Sequence, residues 1–587
     1  MTNNKKKLLF PIGIDDYKKL IEGNYVYVDK TLLIKEFWEE GAEVTLITRP
    51  RRFGKTISLS MLRYFFEKSE HATKHLFENS LIWQEQDLRE HQGMYPVIFI
   101  SFKDIKANNW KDAYQDLQAL IQEEVDRTLT PVLSLLNEIE KRNYDDLMDT
   151  TITGSKLLSN FKTSLKFITK ALSRIHNKKT IVLVDEYDTP ITHSYMQGYY
   201  HEMIDFMSSL LSKGLKSNVH LHKGLMTGVV RTAKDGILSG LNNPNICTML
   251  DSKFANKFGF TEQEIDNLLH LADRSFKKEE IKSWYNGYVC GSKHLSGPYA
   301  LERTCSLYNP WSILKYLEGD ADPETYWANT GSTELLERLI SETSTTTQDE
   351  LKILLEGKSL ERKTINQDVI LLDLNHKEVE PWSFLFFAGY VTATGHIFTN
   401  DTNYYTLTIP NKEIWELYRK LTLGAISKRF SPAKLEILLK ALTTGNAIIV
   451  NDLLGDFIRS FCSFHDLSEK DLESSLHLFV LGLLVSLSNK YIVTSNLESG
   501  YGRYDIMLCP KMPNSSNEQG VILEFKKGKK KDLKELAKEA LTQIKANQYA
   551  TQLYHLGYVG NIFCYGIASY KKEIFIEMEV ASSNEGP

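Results

Sequence analysis

Two places in the chain bring together residue types that could do chemistry on phosphate. The first is RPRRFGKT, Arg49 to Thr56, in which Gly54, Lys55 and Thr56 fit the second half of G-x-x-x-x-G-K-[ST] while Arg49 stands where the first Gly belongs. In such a loop the backbone N–H groups and the N-terminus of the next helix cradle phosphates, the lysine neutralises the outer ones and the hydroxyl holds Mg²⁺. Its natural partner is TIVLVDEYD, whose apolar run delivers Asp185 and Glu186 to a strand end. An acid there can hold Mg²⁺, and a following glutamate can polarise the attacking water. The bland alternative is a basic turn followed, far along, by a buried strand that ends in solvated acids.

The second place is SNLESGYGRYDIML with VILEFKK. Asp505 reads as opening one strand and Glu524 as lying near the end of the next, and alternation puts Lys526 on the same face as Glu524. If the strands pair across CPKMPNSSNEQG, the two carboxylates can share Mg²⁺ or Mn²⁺, while the ammonium orients a water and steadies a pentavalent phosphate. Taken alone the spacing is weak, because charges alternate on many half-exposed strands. The Lys526–Lys531 run, KKGKKK, adds a local basic strip that is either a source of phosphate contacts or a solvated turn.

The elements that must position these residues follow from periodicity. VTLITR, PVIFISF, TIVLVDEYD and GLMTGVV read as four strands. Between them, Trp110, Tyr114, Leu117, Ile121 and Val125 recur at helical spacing, and so do Leu158, Phe161, Leu165, Ile168 and Leu172. Strands alternating with helices imply a parallel sheet flanked by helices. From about Gly259 the pattern becomes a succession of short helices with few strands, and after residues 440–465 it reads helix, strand, strand, helix, strand. The expected domains are 1–260, a P-loop α/β domain; 261–450, a mainly helical middle region; and 451–587, a smaller α/β domain.

Composition sets the bounds. At 587 residues the chain exceeds what one hydrophobic core usually organises, and 42% hydrophobic with 25% charged residues places it among folded globular proteins. A net charge of −5 rules out bulk electrostatic coating of nucleic acid, so any such contact must be local. The 6 cysteines show no C-x-x-C pair, which argues for a reducing compartment and against structural zinc. The basic N-terminus meets Pro11, Asp15 and Asp16 instead of a secretory apolar run, and the longest apolar run, Leu476 to Leu487, is too short for a bilayer. The expectation is a soluble, cytoplasmic protein without a membrane partner.

Ten stretches resemble the AAA-ATPase-like proteins that commonly carry a C-terminal nuclease domain: FPIGIDDY, YVYVDKTLLI, TRPRRFGKT, VLVDEYDTPI, LMTGVVRTAKDGILSGLNN, FGFTEQEI, WYNGY, YNPWSI, YWANTG and FAGYVTATG. The missing first glycine looks like a feature of that family. The resemblance implies an ATP-binding loop at Arg52, Phe53, Gly54, Lys55 and Thr56, with Thr56 and Asp185 on Mg²⁺ and Glu186 as base. It also places Thr227 as a polar sensor of the outermost phosphate and Arg231 behind it, although an arginine after a strand is often a surface ion-pair partner. Residues 473–577 resemble the core of the PD-(D/E)XK nuclease superfamily. That implies Asp505 and Glu524 as metal ligands, Lys526 as the positioning lysine, a further acid at Glu473 and a polar helix position at Gln543, which could equally be a packing residue. His477 reads as a core histidine. The expected activity is an ATPase coupled to a Mg²⁺-dependent nuclease acting on DNA or RNA, with homo-oligomer formation left open. The alternative is a nucleotide-switched interaction protein whose nuclease fold binds nucleic acid without cutting it.

Overall fold

Four of the apolar runs and a fifth, shorter one form a wholly parallel sheet: β1 (Val44–Thr48), β2 (Val97–Ser101), β3 (Thr180–Asp185), β4 (Leu221–Gly228) and β5 (Asn245–Cys247), in the order β2-β3-β4-β1-β5. Every residue of β1 and β3 is buried, as expected of strands covered on both faces. The three-residue β5 has too little periodicity to be read from sequence. Because the strands are parallel, the C-terminal ends of β1, β3 and β4 lie along one edge, the edge at which open α/β sheets bind ligands. Helices Trp110–Leu129 and Gly154–His176 bury the apolar faces that their periodicity marks, including Leu117, Ile121, Val125, Phe161, Leu165 and Ile168.

This computed structural model describes residues 8–69, 71–149, 154–231, 244–291, 304–319, 321–327, 336–337, 345–367, 381–461, 479, 482–483, 485–499, 502–512, 518–527, 532–555, 558, 560–570 and 573–581. Glu473, His477 and most of the Lys526–Lys531 strip lie outside the described residues. The chain divides into two compact units, Met1–Gly331 with Glu361–Ile414, and Ser332–Leu360 with Trp415–Pro587.

The middle region is rich in helices, among them Glu262–Leu271, Lys278–Tyr285, Pro310–Glu318, Trp382–Ala388 and Pro432–Thr443. Thr261 opens the first of these with a capping box closed by Glu264. The region also holds more strand than its periodicity suggests. β6 (Tyr288–Cys290) pairs with β7 (Cys305–Leu307), and β8 (Leu360–Lys363) borders a hairpin of β9 (Thr392–Thr399) and β10 (Thr402–Thr408). That hairpin turns through Asn400 and Asp401, both at positive φ, the backbone that a two-residue turn with matching twist requires.

In the second unit β11 (Tyr491–Ser499), β12 (Gly502–Pro510), β13 (Gly520–Lys527), β14 (Ile562–Tyr570) and β15 (Glu573–Ala581) form one sheet in chain order. All neighbours are antiparallel except β13 and β14, which are parallel and joined by helix Leu533–Ala546. Three strands therefore precede that helix and two follow it, one more on each side than the pattern gave. Asp505, read as opening a strand, lies inside β12. β15 escapes sequence reading because it is a half-exposed edge strand with acids along it. No described helix is long and apolar enough to cross a membrane.

Candidate active sites

The loop after β1 is held by its own arginine. Arg49 is fully buried, and its guanidinium donates to the carbonyls of Thr48 (2.8 Å), Cys247 (3.2 Å), Lys253 (3.4 Å) and Phe254 (3.1 Å). Its N–H bonds the Gly228 carbonyl at 3.0 Å, which ties the loop to the end of β4. A glycine at this position is not needed for backbone freedom, since the left-handed residues of the loop are Arg52 (φ 65°) and Gly54 (φ 84°). The ammonium of Lys55, the first residue of helix Lys55–Phe66, lies 3.1 Å from the Arg49 carbonyl and 3.0 Å from that of Pro50. Burial pushes its pKa down, while Glu186, Asp185 and Asp188 oppose that shift.

Opposite the loop, the end of β3 gathers hydroxyls around Asp185. Thr56 Oγ1 and Thr227 Oγ1 each donate to it at 2.7 Å, and Ser101 Oγ at 3.3 Å. Burial raises the Asp185 pKa and the two threonine bonds work against that rise. The donor set is all oxygen, which suits Mg²⁺. Glu186 follows in the left-handed region (φ 51°) and accepts from Thr189 Oγ1 at 3.0 Å. Asp188, which sequence reading passed over, is buried and accepts the N–H groups of Val229 (2.8 Å) and Val230 (2.9 Å). It thereby fixes the chain that leads to Arg231, itself partly buried.

Residues well downstream close around the same loop. The Arg51 carbonyl accepts from Asn309 Nδ2 (3.3 Å) and Trp327 Nε1 (3.1 Å), while the Arg52 guanidinium lies 4.5 Å from the centre of the Trp311 ring. Asn309 also caps helix Pro310–Glu318, and the buried Glu413 accepts from Ser312 Oγ and from the Trp327 N–H at 2.7 Å. Phe53 is buried edge-on against Tyr288, with centroids 5.1 Å apart. A Cβ on Gly389 would come within 2.9 Å of Pro50, and its φ of 88° already favours glycine. Asn309 and Trp311 of YNPWSI, Trp327 of YWANTG, Tyr288 of WYNGY and Gly389 of FAGYVTATG therefore brace RPRRFGKT. Their scatter along the chain hid that shared role.

In the second unit Ile506 pairs with Leu523, which sets Asp505 of β12 beside Glu524 of β13. Asp505 Oδ2 accepts the Phe525 N–H at 2.6 Å. Gln543, from the crossover helix, joins the other two residues: its carbonyl oxygen accepts from Lys526 Nζ, its amide donates to Glu524 Oε1, and the same amide lies 3.1 Å from the Tyr549 hydroxyl. Glu524 is 4% exposed, and its Oε2 is buried with no hydrogen-bond partner among the described residues. Burial, reinforced by the Asp505 charge, pushes the Glu524 pKa up to about 8; burial also raises that of Asp505. An unbonded carboxylate oxygen next to a second acid fits a hard divalent cation. Among the described residues no group of three or more His, Cys, Asp or Glu converges, and the two acids that could hold a cation here are Asp505 and Glu524.

Comparison with known proteins assigns two domains along the chain. Residues 11–238 match the AAA-ATPase-like family model, described as predicted AAA-ATPase, and residues 471–579 match the PD-(D/E)XK nuclease superfamily. The chain therefore carries an AAA-ATPase-like domain and a PD-(D/E)XK nuclease superfamily domain. It is also 27% identical over 455 residues to an uncharacterised protein in the vnfD 5′ region of Azotobacter chroococcum mcd 1, which covers 77% of this chain and 76% of that one.

The role of Arg49 gives a prediction that runs against the motif. Arg49→Gly moves the loop closer to G-x-x-x-x-G-K-[ST], yet it removes the donor to four carbonyls and leaves a void. We expect a loss of about 3 kcal/mol, read as a lower melting temperature, together with weaker ATP binding. A variant as stable as the parent and binding ATP as well would show that the guanidinium does not hold the loop.

Proposed function

We propose that this protein is an ATP-binding protein, an ATPase, coupled to a Mg²⁺-dependent nuclease that acts on DNA or RNA in the cytoplasm. The observation that carries the reading is the cluster of Asp505, Glu524, Lys526 and Gln543, with a buried, unbonded oxygen on Glu524. A carboxylate costs several kcal/mol to bury without a partner, and a cation is the partner that its geometry lacks. The domain assignment is 1–260 for the ATPase, 261–450 for the middle region and 451–587 for the nuclease.

In the ATPase, Lys55 neutralises the outer phosphates, the N–H groups from Arg52 to Thr56 cradle them, and Thr56 with Asp185 holds Mg²⁺. Glu186 serves as the base that orients water, Thr227 keeps Asp185 in place near the outermost phosphate, and Arg231 and Phe53 complete the pocket. Mg²⁺ at such a site neutralises charge that builds on the transferred phosphoryl group.

In the nuclease, Asp505 and Glu524 hold the cation. A divalent ion there lowers the pKa of water and polarises a phosphoryl oxygen. Lys526 orients the nucleophile and meets negative charge growing on phosphorus. Gln543 fixes the relative positions of Lys526 and Glu524, and Glu473 is assigned as a further acid by resemblance. ATP gates access to this second site or its assembly. Free cysteines among the described residues suit a reducing compartment.

Two sets of variants test the reading. Lys55→Ala should bind or turn over ATP severely less, whereas Glu186→Gln should still bind it and hydrolyse it slowly. ATP binding and turnover intact in Lys55→Ala, or equal loss of binding in both, would remove the assignment.

For the nuclease, Asp505→Ala should lose both Mn²⁺ binding by calorimetry and cleavage of labelled DNA or RNA, and Lys526→Ala should lose cleavage alone. With the Glu524 pKa near 8, the proton must leave before the cation enters. Mn²⁺ affinity should therefore climb as pH rises towards about 8, by up to ~10-fold per unit, and level off above it. Both variants cutting as well as the parent, or a flat affinity between pH 6 and 8, would sink the assignment.

A further inference from the structure

The peptide between Arg51 and Arg52 is fixed from outside the loop. Its carbonyl accepts from Asn309 Nδ2 (3.3 Å) and Trp327 Nε1 (3.1 Å), and in a trans peptide the Arg52 N–H points the opposite way. With its other end the buried Asn309 accepts the N–H groups of Trp311 (3.0 Å) and Ser312 (3.3 Å), so one carboxamide joins the loop to the start of helix Pro310–Glu318. The Trp311 ring is held in turn, because its Nε1 donates to the Tyr326 carbonyl at 3.3 Å. Arg52 turns through a positive φ of 65° and lays its guanidinium over that ring, 4.5 Å from the centre. Arg52 is exposed, and among the described residues its guanidinium makes no hydrogen bond or ion pair.

We propose that Trp311 is a positioning residue that holds the Arg52 guanidinium ready for a phosphate of bound ATP. The inference rests on the ATP-binding reading of the loop and adds to it a side-chain contact and the residue that orients it. A cation over an indole is held by the ring quadrupole, and that contact occupies only the flat side of the guanidinium. The N–H donors lie in its plane and stay available, in a fork that matches phosphate oxygens two at a time. Other arginines of the same unit have their donors engaged: Arg49 by carbonyls, Arg63 by Glu67 at 3.0 Å and Arg127 by Glu124 at 2.6 Å. Arg52 stands three residues before Lys55, the first residue of helix Lys55–Phe66, whose N-terminal end attracts anions. An unsupported arginine gives up its rotamer freedom when it binds; one already laid on a fixed ring gives up less. The brace from Asn309 therefore serves two ends at once, the backbone that precedes Arg52 and the ring beneath its side chain.

The test uses the full chain and calorimetric binding of two ligands: a non-hydrolysable ATP analogue, and inorganic tripolyphosphate, which carries the phosphates without the base. Arg52→Met, a change at an exposed position, should bind both about 10-fold more weakly. Trp311→Leu should bind both ~3-fold more weakly, the loss expected of one cation–π contact. Trp311→Phe keeps a ring and guards against misfolding of the leucine variant; it should lose less than Trp311→Leu. The deciding measurement is a double-mutant cycle. In the Arg52→Met background Trp311→Leu should cost nothing further, because the ring acts through the guanidinium. A loss that persists in that background overturns the proposal in favour of a structural role for the ring. Weaker binding of the ATP analogue with unchanged binding of tripolyphosphate also overturns it, and would make Trp311 a platform for the base. If the parent binds neither ligand, the ATP-binding reading falls and the inference with it; if the parent binds both and Arg52→Met binds them equally well, only the inference falls.

Discussion

A buried guanidinium bonded to backbone carbonyls sets the geometry on which the first site depends. Arg49 carries a full positive charge into the interior and meets it with four carbonyl dipoles, bonds of the charge-assisted kind. Those bonds fix the carbonyl of Thr48, and the next three carbonyls of the loop are also committed: Arg49 and Pro50 to Lys55, and Arg51 to Asn309 and Trp327. With successive carbonyls turned to these donors, the loop presents its following N–H groups at the start of helix Lys55–Phe66, where the helix adds its own unbonded donors. A phosphate-binding loop more often uses a glycine to let the chain turn. Here an arginine holds the turn from behind.

That arrangement explains why the first unit runs on to Ile414. The groups that brace the loop come from helix Pro310–Glu318, from Trp327, from Tyr288 on β6 and from Gly389 after helix Trp382–Ala388. Glu413 locks two of these suppliers together through Ser312 and Trp327. The sheet provides Asp185 and Thr227, but the loop opposite them is shaped by chain beyond the sheet. A mutation at Trp327 or Gly389 would reach the shape of the loop from outside it.

Much of this was legible in the sequence, and the limits have physical causes. Around Lys55 a short apolar strand runs into a G-K-T turn and a helix of 12 residues, and β3 is a run of apolar residues ending in acids, so both halves of the first site stood out. Glu524 and Lys526 were placed on one face because strand alternation is a local rule, and Asp505 joined them only through the assumed pairing of the two strands. β5 and the β6–β7 pair are three-residue strands made by tertiary pairing, which leaves no periodic mark. Arg49 was visible only as a missing glycine, since nothing local reveals which carbonyls a side chain will reach.

The two sites handle buried acid in opposite ways, and the contrast bears on what each can do. Asp185 has both oxygens bonded to hydroxyls, and the two threonine bonds work against the rise in pKa that its burial causes. Its neighbours Thr56 and Thr227 sit on different elements, the helix after the loop and the end of β4, so the carboxylate ties the loop to the sheet. Glu524 has one oxygen held by Gln543 and the other buried without a partner, and its proton affinity is raised accordingly. That acid is poised to exchange a proton for a cation, whereas Asp185 is already satisfied within the fold. The ATPase side is therefore built as a preformed frame. Under the proposed metal assignment, the charge of the second site changes when a cation is loaded, and a site of that kind can be switched by controlling access to it.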